Sequence, residues 1–270
     1  MTLPCRAIIL TTENRSKTVM QRGLISTALI ACVLCGTPAT QGQQAEILPE
    51  PDEVLDAFYE ALGGEMALSG LSEIHVRGSY GGSSSGSIEA KYKDGKLLLE
   101  YEVDGFGKLR MGFDGTTYWR SIPGQPAIEL DGEDLAMARN FTLLPPQFLN
   151  WRSFEGTTEV IEGTDFRGRA VWHLRFSGDD KIEIDRYFDR DNGLLVAVDL
   201  KSTHADTTTL YEFEEYEGVL WPHNITTESM IDDLTAVATT EVRITEIDFD
   251  AELDDDDFAM PDDDSDDEDQ

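Results

Sequence analysis

The sequence predicts a mainly β protein, built on one antiparallel sheet with a helical opening and one helical insert. Three observations carry that expectation. Apolar residues recur at every second position through most of the chain. Turn dipeptides cut these runs into strand-length pieces: Asp94-Gly95, Asp104-Gly105, Asp114-Gly115, Asn192-Gly193 and Glu217-Gly218. Nowhere do strand patterns alternate with helical ones, as parallel βαβ units require.

The leading 45 residues stand apart from this pattern. Arg22 precedes a short apolar run, residues 23–36, with small residues behind it at Gly36, Thr37, Ala39 and Gly42. The run is too short for a membrane-spanning helix, which needs about 20 apolar residues. Its layout suits a secretory signal peptide, and a start at Met20 would make residues 1–19 an over-called beginning. Two processing outcomes fit: cleavage near residues 37–46, or lipidation of Cys32, because Leu29-Ile30-Ala31-Cys32 resembles a bacterial lipobox. Val33-Leu34-Cys35 continues the apolar run past that cysteine and weighs against lipidation. The expected division is a leader at 1–45, one domain at 46–261 and a disordered acidic tail at 262–270. The expected location is the periplasm, with a lipoprotein anchored through Cys32 as the alternative.

All three cysteines (Cys5, Cys32, Cys35) lie in the leader. A cleaved chain therefore has no disulfide, thiolate nucleophile or cysteine-based metal site. The leader holds four of the 21 basic residues and one of the 54 acids, which leaves 17 basic against 53 acidic in the remainder. Such a surface repels nucleic acid and anionic membranes. Solubility is its ordinary explanation.

The domain opens with a helix. Pro51, Asp52 and Glu53 suit a first turn, and Val54, Leu55, Phe58, Tyr59 and Leu62 share one helical face. Gly63-Gly64 interrupts, and a shorter helical piece ends near Leu71. Strands follow from Ile74. Period-two rows run through Leu97, Leu99, Tyr101 and Val103, then Leu109, Met111 and Phe113. Later rows are Ala170, Trp172, Leu174 and Phe176, then Leu194, Val196, Val198 and Leu200. Charged residues fill the alternate positions, so one sheet face is apolar and the other wet. About ten or eleven strands are expected.

Residues 131–151 break the meander. They read as a short helix, a break at Pro145-Pro146 and a further turn, made apolar by Phe141, Leu144, Phe148 and Trp151 among others. An apolar insert in a one-faced sheet should cover that face. The chain ends in an acid run, Asp254 to Asp269, which Phe258 and Pro261 interrupt. A solvated tail is the expected state beyond Pro261, in preference to a calcium site.

Catalytic signatures are missing from the mature sequence. His75, His173, His204 and His223 have no metal-ligand spacing, and no G-x-S-x-G, P-loop or G-x-G-x-x-G occurs. Gly81 to Gly86 is a Gly/Ser-rich hairpin loop, and Asp189 to Gly193 lacks the spacing of a calcium loop. No enzyme activity and no cofactor are expected. Four tryptophans (Trp119, Trp151, Trp172, Trp221) lie in or near the patterned region, for which an ordinary core is the default account.

Several segments in order resemble the LolA/LolB-like periplasmic proteins, a lipoprotein-sorting family. Phe58-Tyr59-Glu60-Ala61-Leu62-Gly63-Gly64 with Ile74-His75-Val76-Arg77-Gly78 is similar to the family's opening helix and first strand. Phe113-Asp114-Gly115 with Trp119, Tyr187-Phe188-Asp189 through Gly193-Leu194-Leu195, and Tyr216 through Trp221-Pro222-His223 resemble later strands. Ile244 to Asp250, then Phe258 and Pro261, resemble the ending. The likeness covers about residues 52–261 and lies in fold motifs, not active-site motifs.

That resemblance implies an unclosed, strongly curved antiparallel sheet, a half-barrel with helices over its concave face and lipid acyl chains between. The expected ligand wall comprises Leu97, Leu99 and Tyr101, then Leu109, Met111, Phe113 and Trp119, with Trp172, Leu174 and Phe176 on a further strand. Phe141, Leu144, Phe148 and Trp151 would form the lid. The expected partners are lipid or lipoprotein acyl chains. The alternative is an envelope sensor that uses the same fold to bind a protein partner. No nucleic-acid partner and no integral membrane span are expected.

Overall fold

Why Pro51–Ala61 forms the first helix, α1, is visible in its opening turn. Pro51 has the fixed φ a first turn needs, Asp52 and Glu53 sit at the positive end of the helix dipole, and the Glu53 carboxylate accepts the Glu50 amide at 3.2 Å. Val54, Leu55 and Phe58 are buried along one side. The helix stops at Gly63, whose φ of +132° suits glycine, and where a Cβ would lie 2.8 Å from the Gly218 carbonyl. A second short helix, α2, spans Gly64–Leu68. The computed structural model describes residues 47–139, 156–178, 183–201, 205–231 and 237–261, all within the unit Ala45–Gln270. The leader, His204, the tail beyond Pro261, and Phe141, Leu144, Phe148 and Trp151 lie outside the described residues.

Six strands follow: β1 (Glu73–Gly81), β2 (Gly86–Lys93), β3 (Lys96–Val103), β4 (Gly107–Phe113), β5 (Tyr118–Ser121) and β6 (Ile128–Glu129). Helix α3 (Gly132–Arg139) comes next. Seven more strands complete the sheet: β7 (Gly156–Phe166), β8 (Arg169–Gly178), β9 (Glu183–Asp189), β10 (Leu195–Lys201), β11 (Ala205–Tyr216), β12 (Val219–Ile231) and β13 (Val237–Asp248). A 3-10 turn, Asp255–Phe258, follows. The thirteen strands exceed the ten or eleven expected, because pieces such as β6, two residues long, leave no periodic trace.

All thirteen strands form one sheet, in the order β6-β5-β4-β3-β2-β1-β13-β12-β11-β10-β9-β8-β7. Every named pairing is antiparallel. Two meanders are thus stitched together where β1 meets β13, and β6 and β7 stand at opposite edges, unpaired on their outer sides among the described residues. The sheet is unclosed.

Alternation sends one set of side chains to the face that α1 covers. Leu55 and Phe58 from α1 and Leu62 just after it join Ile74, Leu99, Leu174, Phe176, Phe188 and Trp221 in one cluster that runs across the sheet. Phe58 meets Phe188 edge-on at 5.4 Å and Phe213 at 6.4 Å. The Asn192-Gly193 turn fits beneath α1, since a Cβ on Gly193 would approach the Ala57 carbonyl to 2.8 Å. One expected row needs correction. A bulge between Leu195 and Ala197 inserts Val196 as an extra residue, so Leu195, not Val196, takes the inward place beside Val198.

A second, smaller cluster sits on the opposite face. Leu98, Trp119, Ala251, Leu253 and Phe258 pack there, which makes β3 buried on both sides: Leu97 and Leu99 inward, Leu98 outward. The 3-10 turn is tied down by ion pairs from Lys91 to Asp257 at 2.8 Å and from Lys96 to Asp255 at 3.1 Å.

Candidate ligand-binding face

The helix-bearing face holds most of the described residues expected to contact a ligand. On β3, Leu97 and Leu99 are buried, and register sets them opposite Phe113 and Met111 of β4. Tyr101 stands opposite Leu109 and meets Tyr80 edge-on at 5.2 Å. Phe113 stacks on Tyr118 at 4.3 Å. Leu109 continues the row but is only half-buried. On β8, Leu174 and Phe176 are fully buried, while Trp172 is half-buried beneath the Arg190 guanidinium, 3.9 Å from the ring centre. These two groups do not touch directly: β2, β1, β13, β12, β11, β10 and β9 lie between β3 and β8. The inward side chains of those strands join them into one continuous apolar surface.

Trp119 is removed from the wall. Its partner in the β4–β5 register is Gly112, in phase with Leu98 and hence outward. The indole lies flat where a Gly112 side chain would be, 2.4 Å from the Cβ position, and its Nε1–H donates to the Phe258 carbonyl at 3.0 Å. The sequence expectation failed because it assumed a single apolar face. The 3-10 turn Asp255–Phe258 supplies a second one.

Sequence reasoning missed the polar atoms in the apolar face. Tyr80 Oη, Trp221 Nε1 and Arg186 Nε are all buried without a hydrogen-bond partner. Arg186 is the most costly of the three. It sits in phase with Ile184 and Phe188 on β9, between Leu174 of β8 and Val198 of β10. Only 8 % of it is exposed, and its guanidinium lies over the Phe176 ring at 4.2 Å. Burial pushes its pKa down to about 10, with Tyr211 nearby acting in the other direction, so it carries its charge at neutral pH. No carboxylate pairs with it among the described residues. An unpaired buried charge costs several kcal/mol, and a desolvated cation–π contact returns about 2 kcal/mol of it. The only hint in the sequence was an arginine standing where the Ile184–Phe188 alternation calls for an apolar residue.

Burial, with Tyr80 adding to it, pushes the Tyr101 hydroxyl above its ordinary pKa. Near the first turn of α1, Pro49, Val54, Trp172, Phe188, Arg190 and Asn192 help to line a pocket of about 290 Å³. That is at the small end for a whole ligand and suits a part of one. Among the described residues no helix is long and apolar enough to cross a membrane.

No protein-family model matches the chain, and neither does any curated protein sequence. Solved structures do. A LolA superfamily protein from Nitrosomonas europaea is similar over 78% of this chain and 98% of its own, with a TM-score of 0.52 at 10% identity. The chain has the LolA-like fold. A DUF1329 family protein from Desulfovibrio piger shares it, over 77% of this chain and 96% of its own, with a TM-score of 0.51 at 12% identity. The unclosed antiparallel sheet agrees with the architecture expected from the sequence motifs. At such identities these likenesses carry architecture and leave the cargo to be argued from the site.

Proposed function

We propose that this protein binds the acyl chains of lipids or lipoproteins on its helix-bearing sheet face, as an exported carrier in the bacterial envelope. The observation that carries this reading is the continuity of that face. Apolar side chains from β3 and β4 through to β8 form one surface within an unclosed sheet of LolA-like fold. A carrier must return what extraction from a membrane costs, about 0.8 kcal/mol per CH₂, or roughly 12 kcal/mol for a sixteen-carbon chain. Only a dry, apolar wall returns that much. The outward face, laid with ion pairs such as Arg175–Asp185 and Glu100–Arg110, does not. The periplasmic location rests on the leader: a positive residue, a short apolar run and small residues behind it.

Mass spectrometry of protein purified from the envelope tests this, together with titration of a fluorescent fatty-acid probe. Co-purified lipid and saturable probe binding are the expected results. Folded protein that carries no lipid and binds no probe would overturn the reading. A stable complex with one envelope protein, formed without lipid, would replace it with a partner-sensing role.

A further inference from the structure

We propose that Arg186 is the head-group site of the apolar face: it binds the anionic oxygen group, carboxylate or phosphate, at the end of an acyl-chain ligand, an assignment that rests on the acyl-chain reading above. Its position argues for this. Arg186 is more than nine-tenths buried, stands on the ligand face and not the wet one, and has Leu174, Phe176 and Val198 as its neighbours. Its Nε has no hydrogen-bond partner, and no carboxylate pairs with the side chain among the described residues.

The chain is not short of acids that might have paired with it. Asp185, the residue before it, faces outward and takes two hydrogen bonds from Arg175, at 2.8 and 3.0 Å. In a chain with 54 acids against 21 basic residues, a cation left unpaired inside an apolar wall is an expensive arrangement. Guanidinium suits this use. Its planar donors match carboxylate and phosphate oxygens, and it stays charged when buried. A ligand anion would satisfy the open Nε donor and neutralise the charge in one step. Its tail would lie along the apolar rows on either side. The acidic exterior does not prevent this, since at physiological salt its field decays within about 8 Å.

The test compares chains that differ only in their head group. Oleate, oleyl alcohol and oleoyl-lysophosphatidate are each used to displace a neutral fluorescent probe, N-phenylnaphthylamine, from the full-length protein near pH 8. Wild type should bind at least one of the two anions tighter than the alcohol by roughly tenfold or more, the usual effect of a buried charge-assisted hydrogen bond. Tighter binding of oleate marks a carboxylate site, and tighter binding of lysophosphatidate a phosphate site. Arg186→Met should bring the preferred anion to the level of the alcohol, and Arg186→Lys should keep part of the preference. If the wild type binds all three ligands equally, the head-group assignment falls and the carrier reading stands. If it binds none, the carrier reading falls and the assignment goes with it. A wild type with no head-group preference overturns the assignment even where Arg186→Met fails to fold, and Arg186→Lys then tests a preference that is present.

Discussion

Replacing Phe258 by alanine tests whether the 3-10 turn Asp255–Phe258 is structural. Phe258 is wholly inaccessible and packs with Leu98, Trp119, Ala251 and Leu253 on the outward face. Removing a fully buried phenylalanine costs about 3–5 kcal/mol when the surroundings cannot collapse. Collapse is restrained here, because Lys91 and Lys96 hold Asp257 and Asp255 from one side and the Trp119 indole holds the Phe258 carbonyl from the other. A loss of no less than about 3 kcal/mol is therefore expected. At 2–4 °C per kcal/mol for a domain of this size, that minimum lowers Tm by roughly 6–12 °C. Thermal and urea unfolding should be followed together by circular dichroism and tryptophan emission. If the turn only frays, the melt will barely move while emission shifts red as Trp119 meets water. A loss under about 1 kcal/mol with no change in emission would refute the packing argument altogether.

Other substitutions probe the two faces separately. Gly112→Val places atoms where the Trp119 ring now lies and should destabilise by about 1–3 kcal/mol, measured by urea melts. Leu174→Glu sets an unpaired charge in the apolar wall; in protein shown to be folded it should abolish fatty-acyl probe binding, because desolvating that charge costs several kcal/mol. Acid should weaken the last turn. A hydrogen bond from the Leu253 amide lowers the pKa of Glu73, and one from Lys96 lowers that of Asp255; burial alone would raise that of Asp257, but Lys91 brings it down. Groups depressed in the folded state bind more protons when unfolded, so their stabilisation is full above the unfolded values near pH 4 and is lost as pH falls through the folded ones. Lys91→Met should lower stability at neutral pH and flatten its fall between about pH 5 and 2, read from melting temperatures across that range.

What could be read from the sequence followed from repetition. The rows Leu97–Leu99–Tyr101 and Trp172–Leu174–Phe176 repeat every second residue over several turns of the pleat, and the structure puts each row on the helix-bearing face. Dipeptides such as Asp94-Gly95 and Glu217-Gly218 show positive φ at both residues, as tight hairpins between twisted strands require. Single events were not legible. One inserted residue at Val196 shifts a whole row, and period-two counting cannot see it. Trp119 was assigned by its character, yet its face was decided by a turn more than 130 residues later in the chain, whose Phe258 carbonyl it meets. Arg186 carries a pattern-breaking charge, but a single mismatch in a strand reads as noise until the neighbouring strands are in place.

The contrast between Arg175 and Arg186 shows what the sheet does with its few cations. They occupy neighbouring strands: Arg175 is paired in register with Asp185, and Arg186 follows directly after that aspartate. Arg175 points outward, where Asp185 meets it with two hydrogen bonds and water screens the remainder. Lys91, Lys96, Lys108 and Arg110 likewise meet carboxylates, so their role in the fold is satisfied without a ligand. Arg186 points the other way. Its only aromatic contact among the described residues is the Phe176 ring, and methionine would fill much of the same volume without the desolvation cost. A purely structural account of that position therefore predicts that Arg186→Met stabilises the empty protein, which is also what a binding site held at the expense of stability predicts. The two accounts separate only in the bound state, where the structural account leaves the preference for an anionic chain over the alcohol unchanged and the binding account removes it.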